Sequence, residues 1–162
     1  MGIAIGPADW WVASPEAVDI MAISCPVGTV LPDKSALIAR DGGCAWIVAP
    51  ATTQVGSAWA GGQYNSSAVG DKCCISEWSG LETALTNAGL TPSDWFVPSR
   101  IQLQNPGYLC RTNWDSFSVA NYWSSTQVNA SAAYNVSYFC CTAYGRNKAT
   151  VLCVRAFRCV TY

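Results

Sequence analysis

The last extended run of the chain limits the fold more than any other stretch. From Thr150 to Val160 the residues alternate, with Val151, Cys153, Arg155, Phe157 and Cys159 on one face and Leu152, Val154, Ala156, Arg158 and Val160 on the other. Both faces are mostly apolar, so a strand here must be covered on both sides. At least one of Arg155 and Arg158 is then buried and needs a carboxylate or carbonyl partner, for which Asp94, Asp115 and Glu82 are candidates.

The 162 residues suffice for one domain, and 51% hydrophobic residues with 8 Trp, 7 Tyr and 4 Phe supply a sizeable core. A net charge of −1 offers no footprint for a phosphate backbone, so nucleic acid is not an expected partner. There is no His, which removes Ser-His-Asp and Cys-His catalysis and imidazole metal ligation. The start has no basic n-region, so no signal peptide is expected, and no apolar run is long enough to predict membrane insertion. The nine Cys show no CxxC spacing. They read as free, small buried hydrophobes, ahead of disulfides or a metal or redox site.

Residues 1–24 are set apart as an N-terminal docking arm, with the pair Trp10 and Trp11 ahead of a short helix capped by Ser14 and opened by Pro15. Residues 25–162 form the domain. Two apolar runs around Asp41-Gly42-Gly43 predict a β-hairpin over 36–49. Pro50 to Lys72 reads as a loop. Ile75, Trp78, Leu81, Leu85 and Ala88 lie at helical spacing with Gly89 as the stop, and Ser99 with Gln102 makes a capping box for a second short helix ended by Pro106. Strands are predicted near Tyr122–Ser125, over Tyr134–Thr142 and over Thr150–Val160, the last two joined at a Tyr144–Asn147 turn and closing as a hairpin.

The run Asp94-Trp95-Phe96-Val97-Pro98-Ser99-Arg100 with Leu103, the later Tyr122-Trp123-Ser124-Ser125-Thr126 and the closing Val154-Arg155-Ala156-Phe157-Arg158 resemble the C-terminal domain family of the collagen-like adhesin Lcl. Trp46-Ile47-Val48-Ala49-Pro50 adds to the likeness, which spans roughly residues 30–160. The resemblance implies an α+β, C-type lectin-like fold: two helices packed on small antiparallel β-sheets, chain ends close together and long loops carrying recognition. Within the motifs Trp95, Pro98, Tyr122 and Trp123 read as core and turn residues. The family occurs in bacterial surface adhesins that bind sulfated polysaccharides and in phage-encoded proteins. Calcium-binding lectins of this fold carry Glu-Pro-Asn or Gln-Pro-Asp and Trp-Asn-Asp; here Gln104-Asn105-Pro106 and Asn113-Trp114-Asp115 depart from that order, and few carboxylates are at hand, so no metal site is expected.

Sugar recognition without calcium needs aromatic faces and amide or hydroxyl groups. The candidate glycan residues are Trp59, Tyr64, Asn113, Trp114, Asp115, Asn129 and Tyr134, and Trp10 and Trp11 are candidates for partner docking. Three function classes follow. The first is a non-enzymatic bacteriophage virion protein, either capsid decoration or a tail or fibre component, whose partners are other virion proteins, further copies of itself in a symmetric oligomer and host-surface polysaccharide. The second is a polysaccharide-binding module of a bacterial surface adhesin. The third is a copper and thiol oxidase of the formylglycine-generating type, but no Cys pair is singled out by spacing. Neither catalysis nor a cofactor is expected.

Overall fold

The computed structural model describes residues 14–62 and 71–162. Among the described residues it is a mixed α+β structure with three α-helices and two sheets. Strands β1 (Ala36–Asp41), β2 (Cys44–Val48) and β8 (Phe157–Thr161) form a sheet in the order β1-β2-β8. Strands β3 (Val55–Ser57), β4 (Asn121–Gln127), β5 (Ala132–Ser137), β6 (Ala143–Asn147) and β7 (Leu152–Val154) form a second sheet in the order β3-β7-β4-β5-β6. The helices are α1 (Pro15–Ser24), α2 (Ser79–Asn87) and the one-turn α3 (Arg100–Gln102).

Local signals place most of these elements. Gly42 and Gly43 both take positive φ, 57° and 76°, which the tight β1–β2 turn requires. The Ser14 hydroxyl caps α1 by accepting from the Ala17 N–H, and Pro15 occupies the first turn. α1 buries Ala17, Val18 and Ala22 in the core and pairs Asp19 with Arg158 of β8 at 2.6 Å. α2 ends in a Schellman arrangement: Leu90 N–H donates to the Leu85 carbonyl and Gly89 N–H to the Thr86 carbonyl, with Gly89 at φ 76°. The capping box at Ser99 is present, with its hydroxyl accepting from Gln102 N–H and the Gln102 side chain accepting from Ser99 N–H.

Several expectations fail, each for a physical reason. The Ile75–Ala88 helix is broken, because Trp78 at φ −119° and ψ 74° separates a 3-10 turn over Ile75–Glu77 from α2. Burial of the Trp78 ring, whose indole N–H donates to the Lys72 carbonyl at 2.7 Å, outweighs continuity of the helix. The segment read as a loop after Pro50 holds β3, which adds to β7 although only three residues are involved. By contrast, the short helix opened at Ser99 does end before Pro106: α3 passes into a further turn, and Asn105 at φ −141° and ψ 113° breaks the helical backbone just ahead of the proline.

Residues Tyr144–Asn147 are strand β6 rather than a turn. The reversal lies earlier, at Phe139–Cys141, where Cys141 takes φ 63°. Most consequentially, the terminal run is two strands in different sheets: β7 pairs with β3 and β4, β8 pairs with β2, and the chain crosses between sheets at Arg155–Ala156. It therefore does not close as a hairpin with its predecessor. Its two-sided burial holds, since Val154, Arg155, Ala156 and Phe157 are all buried.

The cysteines also depart from the core-filler reading. Cys44 and Cys159 form a disulfide that ties β2 to β8 across 115 residues of sequence. Cys73, Cys74 and Cys140 are exposed, and Cys25, Cys110, Cys141 and Cys153 are half-buried. The core is supplied instead by aromatic and branched aliphatic side chains, which bury more apolar surface per residue than a thiol. Opening a loop of this length releases about 4–5 kcal/mol of chain-entropy stabilisation. Replacing Cys44 and Cys159 by Ser is expected to destabilise the domain by that order in equilibrium urea unfolding, with the fold retained.

Candidate functional site

The candidate glycan residues do not converge on one surface. Trp59 is fully buried in a core cluster to which both sheets contribute. Its indole N–H donates to the Ser124 carbonyl at 2.8 Å, its ring meets Trp78 edge-on at 6.2 Å, and the Lys148 ammonium sits 4.5 Å from its centroid. Trp114 is buried in a separate cluster, within 5.2–6.2 Å of Phe117, Tyr122, Tyr138 and Phe157. Neither ring presents a face for a sugar. Each holds an irregular segment onto the sheets, because a large apolar ring gains more from burial than a loop gains from exposing it.

The polar candidates are divided in the same way. The Asn113 amide donates to the Ile38 carbonyl of β1 at 3.1 Å, which fastens the loop to the first sheet. Asn129 closes the β4–β5 hairpin as an Asx turn, its Oδ1 accepting from Ser131 N–H at 2.9 Å and Ala132 N–H at 2.8 Å. Tyr134 is half-buried, and the Arg100 guanidinium lies 4.5 Å from its ring centroid. Asp115 is exposed. Tyr64, Trp10 and Trp11 lie outside the described residues.

Two buried cations organise these surroundings. Arg155 is 2% exposed and uses carbonyls where a carboxylate was the alternative: Nε donates to Ala49 at 2.8 Å and Nη1 to Ser116, with the guanidinium 5.1 Å from the Trp114 ring. Burial lowers its pKa to about 10, opposed by Tyr122, Asp115 and Tyr138, so it stays charged at neutral pH. Its Nη2 and the Trp114 Nε1 have no partner among the described residues. Lys148 is fully buried, donating to Gln127 Oε1 at 2.6 Å and the Ala130 carbonyl at 3.0 Å. Burial first, and then Lys72, lowers its pKa. Arg158 takes Asp19 as its partner, not Asp94, Asp115 or Glu82.

Two features escaped sequence reasoning. A cavity of about 450 Å³ opens between α2, the Ile75–Glu77 turn and Pro92–Asp94, with Cys74, Ile75, Glu82, Pro92 and Trp95 in its wall. None of the candidate glycan residues lines it. On the reversal before β6, the Cys140 sulfur lies 3.3 Å from the Thr142 hydroxyl and 3.9 Å from that of Tyr144. Hydrogen bonds from Thr142, and then Ser137, favour the thiolate and lower the Cys140 pKa to about 7. The Ser-x-x-Cys-x-Thr-x-Tyr pattern was the legible signal, but it acts only once the reversal folds those hydroxyls inward. Among the described residues no group of three potential metal ligands occurs, and no helix is long and apolar enough to cross a membrane.

No family model matches the chain, and no curated protein matches it either. Its site chemistry therefore rests on its own residues.

Alkylation by iodoacetamide tests the thiol assignment. Cys140 deprotonates near pH 7, while burial and the neighbouring Cys74 raise the Cys73 pKa. Cys140 labelling, followed by peptide mass spectrometry, is expected to climb through neutral pH and level off while Cys73 labelling is still rising. Removing the indole donor with Trp59→Phe leaves the Ser124 carbonyl unpaired and is expected to cost about 1–3 kcal/mol in urea unfolding.

Proposed function

We propose that this chain is a non-enzymatic structural protein of a bacteriophage virion, a capsid decoration or a tail or fibre component, built on a C-type lectin-like domain. The observation that carries the reading is the return of β8 onto the β1–β2 hairpin, fastened by Cys44–Cys159. This agrees with the closed-ended scaffold that the sequence resemblance implies. A disulfide also suits a protein that works outside the reducing cytosol.

The fate of the loop tryptophans favours particle contacts over sugar binding by the residues first considered. Trp59 and Trp114 are committed to the core, and Arg100 sits over Tyr134. Large apolar side chains stand exposed elsewhere, on the reversal at Phe139, which is 81% exposed, and at Val119 and Val151. Such side chains suit contact with neighbouring proteins of an assembly. Host-surface polysaccharide remains a proposed partner through the exposed polar loops, and Trp10 and Trp11 as a proposed docking element.

Quantitative mass spectrometry of purified phage particles from the source culture, combined with cross-linking, tests this reading. Many copies cross-linked to the shell protein are expected for decoration, and a few copies near the tail for host attachment. Absence of the chain from the particles refutes the virion assignment.

A further inference from the structure

Strand β6 pairs with β5 over five consecutive residues, Val136↔Ala143 to Ala132↔Asn147, without a register shift. Its other side meets no strand among the described residues. The hydrogen bonds flanking the pair fix which backbone groups face outward. Ser137 N–H donates to the Thr142 carbonyl and Lys148 N–H to the Ser131 carbonyl, both at 2.9 Å. By the alternation of an antiparallel ladder, Tyr144 and Arg146 then direct their backbone groups to β5, and Ala143, Gly145 and Asn147 direct theirs away. The Asn147 carbonyl is taken by Thr150 N–H at 3.0 Å. Among the described residues this leaves the N–H and carbonyl of both Ala143 and Gly145, and the Asn147 N–H, with no backbone partner on the outer edge.

The other sheet edges are shorter or partly covered. β3 has only three residues. β1 is covered where Leu37 exchanges hydrogen bonds with Gly28 and Thr29, and β8 where Phe157 exchanges them with Phe96. β6 carries no proline, bulge or lysine that would block pairing, and four of its five residues are exposed.

We infer that β6 is the self-association edge of this protein, pairing antiparallel with β6 of a second copy about a two-fold axis through Gly145. In that register Gly145 N–H donates to the Gly145 carbonyl of the other copy and Asn147 N–H to the Ala143 carbonyl, each twice by symmetry. Tyr144 falls opposite Arg146 of the other copy. A guanidinium then meets a phenol ring at two symmetric places, and the two arginines do not oppose each other. This complementarity selects a second copy over an unrelated strand. The ten-stranded sheet so formed does not depend on the virion assignment.

The test uses the full chain alone, by size-exclusion chromatography with light scattering from about 1 µM to about 100 µM. A dimer of twice the 17.3 kDa chain mass is expected to build up with concentration. Gly145→Pro removes an outward N–H that β5 does not use, and Gly145→Lys sets two ammonium groups against each other on the axis. Each is expected to raise the dimer dissociation constant at least about tenfold, which is the loss of roughly one or two hydrogen bonds. Circular dichroism reports whether each variant folds, and Gly145→Lys decides the matter if the proline variant does not. Hydrogen exchange at Gly145 and Asn147 amides is expected to slow with concentration. A wild-type chain that stays monomeric, or an assembly that a folded Gly145→Lys leaves intact, overturns the inference. Its failure would leave the particle assignment to be decided by its own experiment.

Discussion

The guanidinium of Arg155 is the point on which the two sheets and the irregular segment before β4 depend. It sits where the chain leaves β7 for β8, and it reaches the carbonyl of Ala49 just beyond β2 and the carbonyl of Ser116 in the segment before β4. Burying a cation without a carboxylate is costly, and the structure offsets the cost with carbonyl dipoles and the face of Trp114. Three parts of the fold that are distant in sequence are thereby held to one planar group. The disulfide and the Asp19–Arg158 pair fasten the same terminal strand further along.

This arrangement explains why the loop aromatics are structural. Trp114 lies against Arg155 and packs with Tyr122, Tyr138 and Phe157. Trp59 plays the corresponding part on the other side, with Trp78 at its edge and Lys148 over its ring. Each core cluster thus joins a buried cation to a tryptophan drawn from an irregular segment. Irregular backbone has few ladder hydrogen bonds of its own, so a large ring is an effective anchor for it.

Much of this was legible in the chain, because local chemistry decides local structure. Asp41-Gly42-Gly43 specifies a two-residue turn, Ser99 and Gln102 specify a capping box, and the apolar faces around Arg155 specify two-sided burial. What could not be read is non-local. Nothing near Arg155 says that β7 and β8 belong to different sheets, since that depends on which distant strands they meet. The Cys44–Cys159 pairing depends on the β2–β8 register in the same way. Tyr144-Gly145-Arg146-Asn147 has the composition of a turn and becomes a strand because β5 offers it a complete ladder. For the candidate site, residue type suggested sugar chemistry at Trp59 and Trp114. Only burial distinguishes a platform from an anchor, and burial is a property of the whole fold.

Arg155 acts by its planar fork, bridging separate carbonyls, and not by charge alone. Equilibrium urea unfolding of Arg155→Lys separates the two, because lysine keeps the charge but cannot reach both carbonyls from one plane. The expected loss is about 2–4 kcal/mol, from a carbonyl left unpaired and a cation less well satisfied. A variant as stable as the wild type would show that charge alone suffices at this position.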